Sequence, residues 1–330
     1  MIQPSAATTS ERDLLRLVEE FFRTRFETDN PLITEAVRRM LAAGGKRLRP
    51  RIALLAAEAM GGDGSQHLAL AAYMELIHVA TLIHDDVVDG APTRRGVNAT
   101  AVDYGNRISV LAGDYLFAWI FKNVTARYPA PIPHILSSTL AAICDGEVLQ
   151  LRAMGNVDLD YDGYVEIVRK KTATLFAASA ECGAISGGQG PRIPPEFAQS
   201  VQALSDYGMH YGTAFQMMDD LLDMTAEEAA LGKPVGNDLR ERKVTLPLIV
   251  ALQRGGTEFR RSVARFFEGG ASEEPAAIAE IVAAIDRLGG FEGTRAAIAA
   301  EAGRAIRALD SVGEGTARRE LVALATRLAP

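Results

Sequence analysis

A long apolar segment that ends in acid constrains this chain more than any other feature. Apolar residues recur at helical spacing from Leu68 to Val88, and no Gly or Pro interrupts them before Gly90. This pattern predicts one helix over 65–89, about 25 residues or roughly 37 Å long. Three carboxylates crowd into its last turn, those of Asp85, Asp86 and Asp89. Like charges at the negative end of the helix dipole destabilise a helix, so the pattern indicates a bound cation.

The same acidic spacing occurs a second time. Residues 216–223 read QMMDDLLD, and the second set of carboxylates is Asp219, Asp220 and Asp223. One such triplet is more often a solvated helix end than a site, whereas two matching triplets favour a shared function. Carboxylate oxygens suit a hard cation, and Mg²⁺, which keeps waters and shares its ligands with substrate phosphates, fits better than Zn²⁺. The sequence therefore predicts metal ligands at all six aspartates.

Composition excludes some classes of protein. A net charge of −7 argues against nucleic acid as a partner, and a hydrophobic content of 48% provides material for a large core. No apolar run reaches about 18 residues and no signal peptide is evident, so we expect no transmembrane segment and a cytoplasmic location. Cys144 and Cys182 are interpreted as small core residues.

Helical periodicity covers almost the whole chain, and no stretch alternates for long enough to predict a strand. The other expected helices are 11–26, 31–43, 49–60, 107–127, 133–153, 161–186, 196–223, 245–253, 257–268, 274–287, 291–309 and 313–328. We therefore predict a single all-helical domain over 1–330.

Basic residues gather near both acidic triplets. They are Lys46 and Arg49 in GGKRLRP, Arg94 and Arg95 after the first triplet, Lys170 and Lys171 within an apolar helix, and Lys233 and Lys243 flanking the loop after the second. Each alone is more simply a solvated surface cation. Their placement favours a diphosphate substrate, because Arg forks and Lys point charges both bind phosphate.

Five motifs then identify a family resemblance. GGKRLRP, DDVVDGAPTRRG, KTATLF, FQMMDDLLD and GKPVGNDLRERKVTLP follow one another between residues 44 and 247. In these motifs the chain resembles the trans-isoprenyl diphosphate synthases, or polyprenyl synthetases, and is most similar to the long-chain octaprenyl, solanesyl and decaprenyl enzymes. The resemblance implies an all-α, single-domain helical bundle of the isoprenoid synthase type, with a central active-site cavity, and a homodimer. It also implies a prenyltransferase that joins isopentenyl diphosphate to an allylic diphosphate, such as farnesyl or geranylgeranyl diphosphate, with three Mg²⁺.

The resemblance assigns roles by position. Asp85, Asp89 and Asp219 would be the principal metal ligands, supported by Asp86, Asp220 and Asp223. Isopentenyl diphosphate would be held by Lys46, Arg49, His78 and Arg95, and the allylic diphosphate by Arg94, Lys171, Lys233 and Lys243. Thr172 and Gln216 would face the developing cation. The catalytic set is thus Asp85, Asp89, Lys171, Thr172, Gln216, Asp219 and Lys233. One departure is Arg242, because the family usually has glycine before the last lysine.

These residue types suit release of diphosphate from an allylic carbon. Metal ions, Lys and Arg act on the leaving group, where charge develops in the transition state. No side chain is an obvious base, so the released diphosphate is expected to accept the proton.

Product length is predicted from the long helix, along which the growing chain should run from Asp85 toward the N-terminus. The pocket residues would be Tyr73, Met74, Ile77, Ala80 and Thr81. Ala80 and Thr81 are small, and Tyr73 lies roughly 18 Å below Asp85, so we expect a long product of about C30 to C50. Phe117, Phe121 and Leu136 are candidates for the pocket floor, although each is more simply a core residue.

Other functions fit the sequence less well. His84 beside Asp85 suggests a metal phosphohydrolase, but the chain has 5 histidines without further ligand spacing, and the second triplet would stay unexplained. A class I terpene cyclase would not need GGKRLRP, and a noncatalytic partner subunit could lose acidic motifs, which are present here. A C20 geranylgeranyl diphosphate synthase is the short-product alternative. A quinone side chain is the expected use of a long product, with transient membrane-surface contact during its release.

Overall fold

The computed structural model describes residues 11–188, 195–225, 236–269 and 274–329. Within these ranges almost every regular element is a helix, as predicted. The helices of the first half are α1 (Glu11–Arg25), α2 (Pro31–Ala42), α3 (Leu48–Ala59), α4 (Leu68–Val88), α5 (Thr100–Tyr104), α6 (Asn106–Arg127), α7 (Pro131–Ala153), α8 (Tyr161–Val168) and α9 (Thr174–Gly187). Those of the second half are α10 (Pro195–Thr225), α11 (Asn237–Arg240), α12 (Leu246–Arg254), α13 (Gly256–Glu268), α14 (Pro275–Arg287), α15 (Gly290–Ala308) and α16 (Thr316–Thr326).

The chain divides into two compact units. Unit 1 comprises Met1–Leu136, Ala178–Ser205 and Ser311–Glu320, and unit 2 comprises Ser137–Ala177, Asp206–Asp310 and Leu321–Pro330. Each acidic triplet belongs to a different unit. The single domain expected from the sequence stays a prediction.

Local chemistry sets the helix ends. The side chain of Asn30 accepts a hydrogen bond from the Leu32 amide at 3.1 Å, with Pro31 at the first helical position of α2. Asp160 caps α8 in the same way through the Gly163 amide at 2.9 Å. Such caps satisfy amides that have no partner inside the helix.

Helix α4 is the centre of unit 1. Its side chains are largely buried, and Leu70, Tyr73, Met74, Ile77 and Ile83 are fully excluded from solvent. Helices α1, α2, α3 and α6 pack around it. Burial of each large apolar side chain contributes about 1.5–3 kcal/mol, so α4 is the main source of stability in this unit.

The first residues of the predicted long helix differ from a regular α-helix. Gly64–His67 form a 3₁₀ turn before α4. Asp63 accepts a hydrogen bond from the Ser65 amide at 3.0 Å, and the His67 ring lies 2.7 Å from the Ser186 hydroxyl. These polar contacts fix the entry to α4.

Segment Gly64–Val88 is long and apolar enough to cross a bilayer, with a mean hydropathy of 1.2 in its most apolar window. However, 67% of that window is buried inside the protein. It is therefore the core helix of unit 1 rather than a clear transmembrane segment.

A short hairpin follows α4, contrary to the expectation of no strands. Strands β1 (Thr93–Arg94) and β2 (Val97–Asn98) pair antiparallel. Arg95 and Gly96 form the two-residue turn with φ of 51° and 79°, the positive values that a tight hairpin requires. Strands of two residues are too short to produce an alternating pattern.

Unit 2 has its own apolar core. Helices α8, α10, α12, α13, α14 and α15 supply buried residues such as Tyr164, Met217, Leu248, Phe266 and Ile298. The unit 2 part of α10 also lies against the chain at 173–177. A Cβ at Gly208 would lie 2.5 Å from the Phe176 carbonyl oxygen, so glycine is what permits this approach.

One predicted helix is interrupted. The helix expected over 161–186 contains a π turn at Arg169–Ala173, which separates α8 from α9.

The two cysteines differ in burial. Cys182 is buried as predicted, whereas Cys144 is exposed on α7, so the prediction for Cys144 was wrong.

Candidate active site: two acidic helix ends

The first acidic triplet closes α4 in unit 1. The Asp89 amide donates to the Asp85 carbonyl at 2.8 Å, and the Ala91 amide donates to the Asp86 carbonyl at 3.0 Å. Gly90 between them has φ of 62°, as in helix ends that close on a left-handed glycine. This ending keeps all three carboxylates on the last turn of the helix.

Asp86 is the buried member of the first triplet. It is 0% exposed, and Arg94 from β1 donates to its Oδ1 through Nε at 2.7 Å and Nη2 at 2.5 Å. Oδ2 is buried without a hydrogen-bond partner. Burial raises the pKa of the Asp86 carboxyl, Arg94 opposes this and Asp89 adds to it. Arg94, predicted to hold the allylic diphosphate, thus holds Asp86 here.

The residues predicted for isopentenyl diphosphate share unit 1. Lys46 is exposed and Arg49 is buried at the start of α3, and Arg95 donates to the Gly44 carbonyl. Burial lowers the pKa of His78 well below its usual value, and Arg49, Arg95, Arg94 and Arg47 lower it further. A histidine whose protonation is opposed by four arginines stays neutral at pH 7. His78 therefore lies close enough to Arg49 and Arg95, two of the predicted diphosphate-binding residues, for their charge to act on it.

The residues predicted to set chain length lie on α4, on the N-terminal side of the first triplet. Tyr73, Met74, Ile77 and Ala80 are fully buried, whereas Thr81 is half-buried and its hydroxyl donates to the His78 carbonyl at 2.8 Å. Ala80 and Thr81 are the small residues nearest the aspartates, as expected.

The deep end of this row contacts a residue that the sequence did not single out. The Tyr73 ring meets the Trp119 ring edge-on, with centroids 5.9 Å apart. Phe117, a candidate for the pocket floor, lies instead against His84, with centroids 5.8 Å apart. Both residues lie on α6, but Trp119 contacts the Tyr73 end of the row and Phe117 contacts His84 beside the aspartates.

The second triplet closes α10 in unit 2, and its central residue has neutral partners. The Tyr164 hydroxyl donates to Asp220 Oδ2 at 2.5 Å, and Gln216 Nε2 donates to Oδ1 at 2.8 Å. Burial raises the pKa of Asp220 to about 7, the two hydrogen bonds oppose this, and Asp219 and Asp223 add to it. Tyr164 was not predicted, because nothing in the sequence links α8 to α10.

Lys171 and Thr172 lie in the π turn. Lys171 forms an ion pair with Glu147 of α7, and the Thr172 hydroxyl donates to Gln216 Oε1 at 3.0 Å. A Cβ at Gly146 would lie 2.5 Å from the Lys171 amide nitrogen, so glycine lets α7 approach the turn. Turns of this type occur often at functional sites. The structure thus joins the predicted Thr172 and Gln216 and adds Glu147.

Asp223, the last residue of the second triplet, holds the start of the described segment at 236–238. Asp223 is 1% exposed, and its Oδ2 accepts from the Asp238 amide at 3.0 Å while its carbonyl accepts from the Gly236 amide at 2.8 Å. Lys243 pairs with Glu241 at 2.5 Å. Lys233 lies outside the described residues.

Arg242 adopts the backbone conformation that a glycine would favour. Its φ is 57°, and its carbonyl accepts a hydrogen bond from the Gly155 amide at 2.7 Å. A Cβ at Gly155 would lie 2.7 Å from Arg242 Nη2. The left-handed turn before Lys243 is therefore kept without glycine, because Gly155 makes room for the side chain.

Neither acidic triplet forms a metal site by itself. Among the described residues no three His, Cys, Asp or Glu side chains are arranged to hold an ion by themselves. Mg²⁺ uses few protein carboxylates and completes its shell with water and substrate phosphate. The unpartnered, buried Oδ2 of Asp86 fits a group that receives a cation.

Comparison with known proteins now decides the family. The polyprenyl synthetase family model matches residues 30–285. The chain belongs to this family. It is 38% identical over 301 residues to octaprenyl diphosphate synthase of Escherichia coli (strain K12), which covers 91% of this chain and 90% of that protein. As a polyprenyl synthetase it is a prenyltransferase.

Solved structures agree with this assignment. The crystal structure of a decaprenyl diphosphate synthase from Rhodobacter capsulatus matches with a TM-score of 0.88 and 38% identity, covering 96% of each chain. A polyprenyl synthase from Caulobacter crescentus CB15, complexed with calcium and isoprenyl diphosphate, matches with a TM-score of 0.88 and 36% identity over 98% of this chain and 99% of that one. The all-α polyprenyl synthetase fold predicted from the motifs is confirmed.

Sequence reasoning missed the partners of the predicted residues. In unit 2 they are Glu147, which pairs with Lys171, and Tyr164, which donates to Asp220. In unit 1 it also missed Arg47 and Glu75, which pair with each other near the predicted cations. Glu75 could have been found, because a lone acid in an apolar helix usually has a buried partner. Tyr164 and Glu147 gave no such signal.

Proposed function

We propose that this polyprenyl synthetase condenses isopentenyl diphosphate with an allylic diphosphate and repeats the step to give a long all-trans polyprenyl diphosphate. The observation that carries the proposal lies in unit 1. The cations Lys46, Arg49 and Arg95 share that unit with the acidic end of α4 and with its row of buried pocket residues. Unit 1 thus contains both a set of cations that suit a diphosphate and, on α4, a row of buried apolar residues.

Isopentenyl diphosphate is assigned to Lys46, Arg49, His78 and Arg95. Three permanent cations balance much of the charge of a diphosphate, and a neutral His78 adds one N–H donor. Arg49 and Arg95 are among the groups that lower the pKa of His78, which supports placing these three side chains in one subsite.

The allylic diphosphate is assigned to Arg94, Lys171, Lys243 and Lys233. The three described cations each hold a carboxylate, namely Asp86, Glu147 and Glu241. Binding of diphosphate at these cations would therefore exchange one anion for another.

Mg²⁺ is assigned to Asp85, Asp89 and Asp219, with Asp86, Asp220 and Asp223 in support, and three ions are expected with substrate. When bound, the metal neutralises the departing diphosphate. Calcium in the relative from Caulobacter crescentus supports a divalent cation.

In the reaction the allylic carbon–oxygen bond breaks, and its electron pair leaves with the diphosphate. The double bond of isopentenyl diphosphate supplies the pair for the new carbon–carbon bond, and one proton then passes to the released diphosphate. Because the Thr172 hydroxyl hydrogen is donated to Gln216, the Thr172 oxygen keeps its lone pairs as weak dipolar support for the allylic cation. The Lys and Arg side chains hold the leaving group.

Product length is assigned to α4. From Asp85 to Tyr73 the helix spans roughly 18 Å, which suits a product of about C30 to C50. The octaprenyl and decaprenyl products named for two relatives support this length. A quinone side chain is the proposed use.

The test is incubation with radiolabelled isopentenyl diphosphate, farnesyl diphosphate and Mg²⁺, with sizing of the dephosphorylated products. A series of products that ends between about C30 and C50 supports both the condensation chemistry and the assignment of product length to α4. If elongation stops at geranylgeranyl diphosphate, the proposed condensation is supported but the proposed long product is rejected. No elongation with any allylic starter rejects the function in favour of a cyclase or a partner subunit.

We also propose a homodimer in the cytoplasm, with membrane-surface contact during product release. The family resemblance supports the dimer. Light scattering of the purified protein tests the dimer, and cell fractionation tests the location.

A further inference from the structure

Arg47 lies in the sequence between Lys46 and Arg49, which are assigned to isopentenyl diphosphate, but its own side chain contacts other protein groups. Its Nε lies 2.5 Å from Glu19 of α1, its Nη1 lies 2.9 Å from Glu75 of α4, and its Nη2 donates to the Leu41 carbonyl of α2 at 2.9 Å. Its guanidinium also stands 5.3 Å from the centre of the Phe22 ring. Three helices therefore hold this one side chain.

The burial of this contact excludes a direct role with substrate. The Arg47 side chain is 5% exposed and that of Glu75 is 3% exposed. Each of the three guanidinium nitrogens already has a protein partner, and so little of the side chain is exposed that a diphosphate has no access to its remaining N–H groups. Arg47 and its neighbours Lys46 and Arg49 thus have different tasks.

The backbone at Arg47 needs this support. Its φ is 48°, a left-handed conformation that is unfavourable for a residue with a Cβ. Arg47 is also the residue from which α3 begins, and its carbonyl accepts from the Arg51 amide at 3.1 Å. Its side-chain contacts therefore fix the turn that separates Lys46 from Arg49.

Glu75 also balances the charge of the cluster. Burial lowers the pKa of Arg95, Glu75 opposes this, and Arg47 and Arg94 add to it. A Cβ at Gly45 would lie 2.8 Å from Arg95 Nη1 and 3.2 Å from Arg47 Nη1, so both guanidinium groups pack on the Gly45 backbone. An acid beside two crowded arginines reduces their repulsion.

We propose that Arg47 and Glu75 form a positioning pair that sets the affinity of the isopentenyl diphosphate subsite without touching the substrate. The pair holds the Gly44 to Arg49 turn in its left-handed form, and this presents Lys46 and Arg49 together with Arg95. The inference rests on the proposed function and deepens it.

The test compares the KM values for isopentenyl diphosphate and farnesyl diphosphate. For Glu75→Gln and Arg47→Lys we expect the KM for isopentenyl diphosphate to rise by about tenfold to a hundredfold, because displaced binding groups lose that much. The KM for farnesyl diphosphate and kcat should change by less than about threefold. The double variant should be no worse than the worse single variant, since both remove one contact. Titration calorimetry with isopentenyl diphosphate alone should show the same loss.

Glu320→Gln is the matched control. Glu320 pairs with Arg51 of the same helix α3 at 3.2 Å, outside the assigned subsites, so its KM values should stay at the wild-type level. If Glu75→Gln does not fold, as judged by circular dichroism, the milder Arg47→Lys decides the question.

Two outcomes overturn the inference. An unchanged KM for isopentenyl diphosphate would show that the pair does not position the subsite. A fall in kcat with a lower Tm and equal changes in both KM values would show a purely structural role. Failure of the proposed function is distinct, because the wild-type protein would then form no elongated product at all.

Discussion

The two acidic triplets have the same spacing but different electrostatic surroundings. Asp86 is neutralised by a permanent cation, Arg94, at 2.5 Å, whereas Asp220 receives hydrogen bonds from the neutral groups of Tyr164 and Gln216. Both carboxyls are buried, at 0% and 5% exposure. Neutral donors only partly offset burial, so the pKa of Asp220 reaches about 7. Identical sequence patterns therefore do not give identical charges.

The helices behind the triplets differ as well. On α4 the residue four positions before the first aspartate is Thr81, and on α10 the corresponding residue is Phe215. Phe215 stacks on Tyr211, with ring centroids 6.5 Å apart, and Tyr211 stacks on Tyr207, with centroids 5.8 Å apart. An aromatic column of this kind fills the face of α10, whereas α4 has at this position the small residues that are proposed to face the growing chain.

The largest effect should come from an outer aspartate of either triplet. For Asp85→Asn and Asp219→Asn we expect kcat to fall by about 10³-fold, since a metal supplies several kcal/mol of transition-state stabilisation. Asp286→Asn, at an exposed acid near the end of α14, should keep full activity. Steady-state rates at saturating Mg²⁺ measure this. Loss at only one triplet would mean that the two do not share a function.

Of the residues four positions before each triplet, only Thr81 on α4 should control product length, and Phe215 on α10 should not. Thr81→Phe places an aromatic ring in the first turn below Asp85, so the product should shorten by several isoprene units. Phe215→Thr should not lengthen it, because Tyr211 still fills that face of α10. Chromatography of the dephosphorylated products gives the lengths. A longer product from Phe215→Thr would place the growing chain along α10 instead.

Stability should respond with opposite signs to the two central aspartates. In metal-free protein at pH 8, Asp86→Asn should lower the free energy of unfolding by about 2 kcal/mol, because Arg94 loses a charged partner. Asp220→Asn should raise it, because no charge need then be buried, and the Tyr164 hydroxyl can turn to accept from the new amide. Urea denaturation in EDTA measures both. Equal signs would contradict the contrast between a charged and a neutral partner.

The pH dependence of stability sharpens the same contrast. The pKa of Asp220 is raised in the folded protein to about 7. The folded protein therefore binds this proton more tightly than the unfolded chain does. Its free energy of unfolding should fall as pH rises from about 4 to about 7. Asp220→Asn should flatten this decline, and an unchanged slope would assign it to other groups.

The smallest effect concerns His78, seven residues before the first triplet, where the second triplet has Gly212 at the matching position. Because the pKa of His78 is lowered, it should stay neutral and donate a single hydrogen bond. His78→Gln keeps a donor and should raise the KM for isopentenyl diphosphate by less than about threefold, whereas His78→Ala should raise it by about tenfold. Equal effects of both variants would remove His78 from the subsite.

Much of the fold followed from the sequence because helices are local. Apolar spacing and the Pro and Gly boundaries placed α2, α4 and α10 within a few residues of their observed ends. The triplets and the loop cations were found for the same reason, since short motifs carry their own spacing.

The rest depends on contacts that sequence spacing does not encode. The π turn, the Tyr164 to Asp220 hydrogen bond and the Trp119 contact with Tyr73 each join separate helices. Arg242 shows the limit most clearly. Its left-handed backbone is possible because Gly155, far away in the chain, makes room for its side chain.

The π turn at Arg169–Ala173 also governs how this protein tolerates insertions and deletions. A π turn contains one residue more than a regular helix would use. Removing one residue there would restore an unbroken α-helix. Because the wide turn covers about the same rotation as a regular turn with one residue fewer, α8 and α9 would keep their register and only the residues of the turn would move. The pairs of Lys171 with Glu147 and of Thr172 with Gln216 would then be lost, whereas Phe176 would still pack on Tyr211. In an alignment of related chains, a one-residue gap at this position would therefore mark a rebuilt active site rather than a neutral change in length.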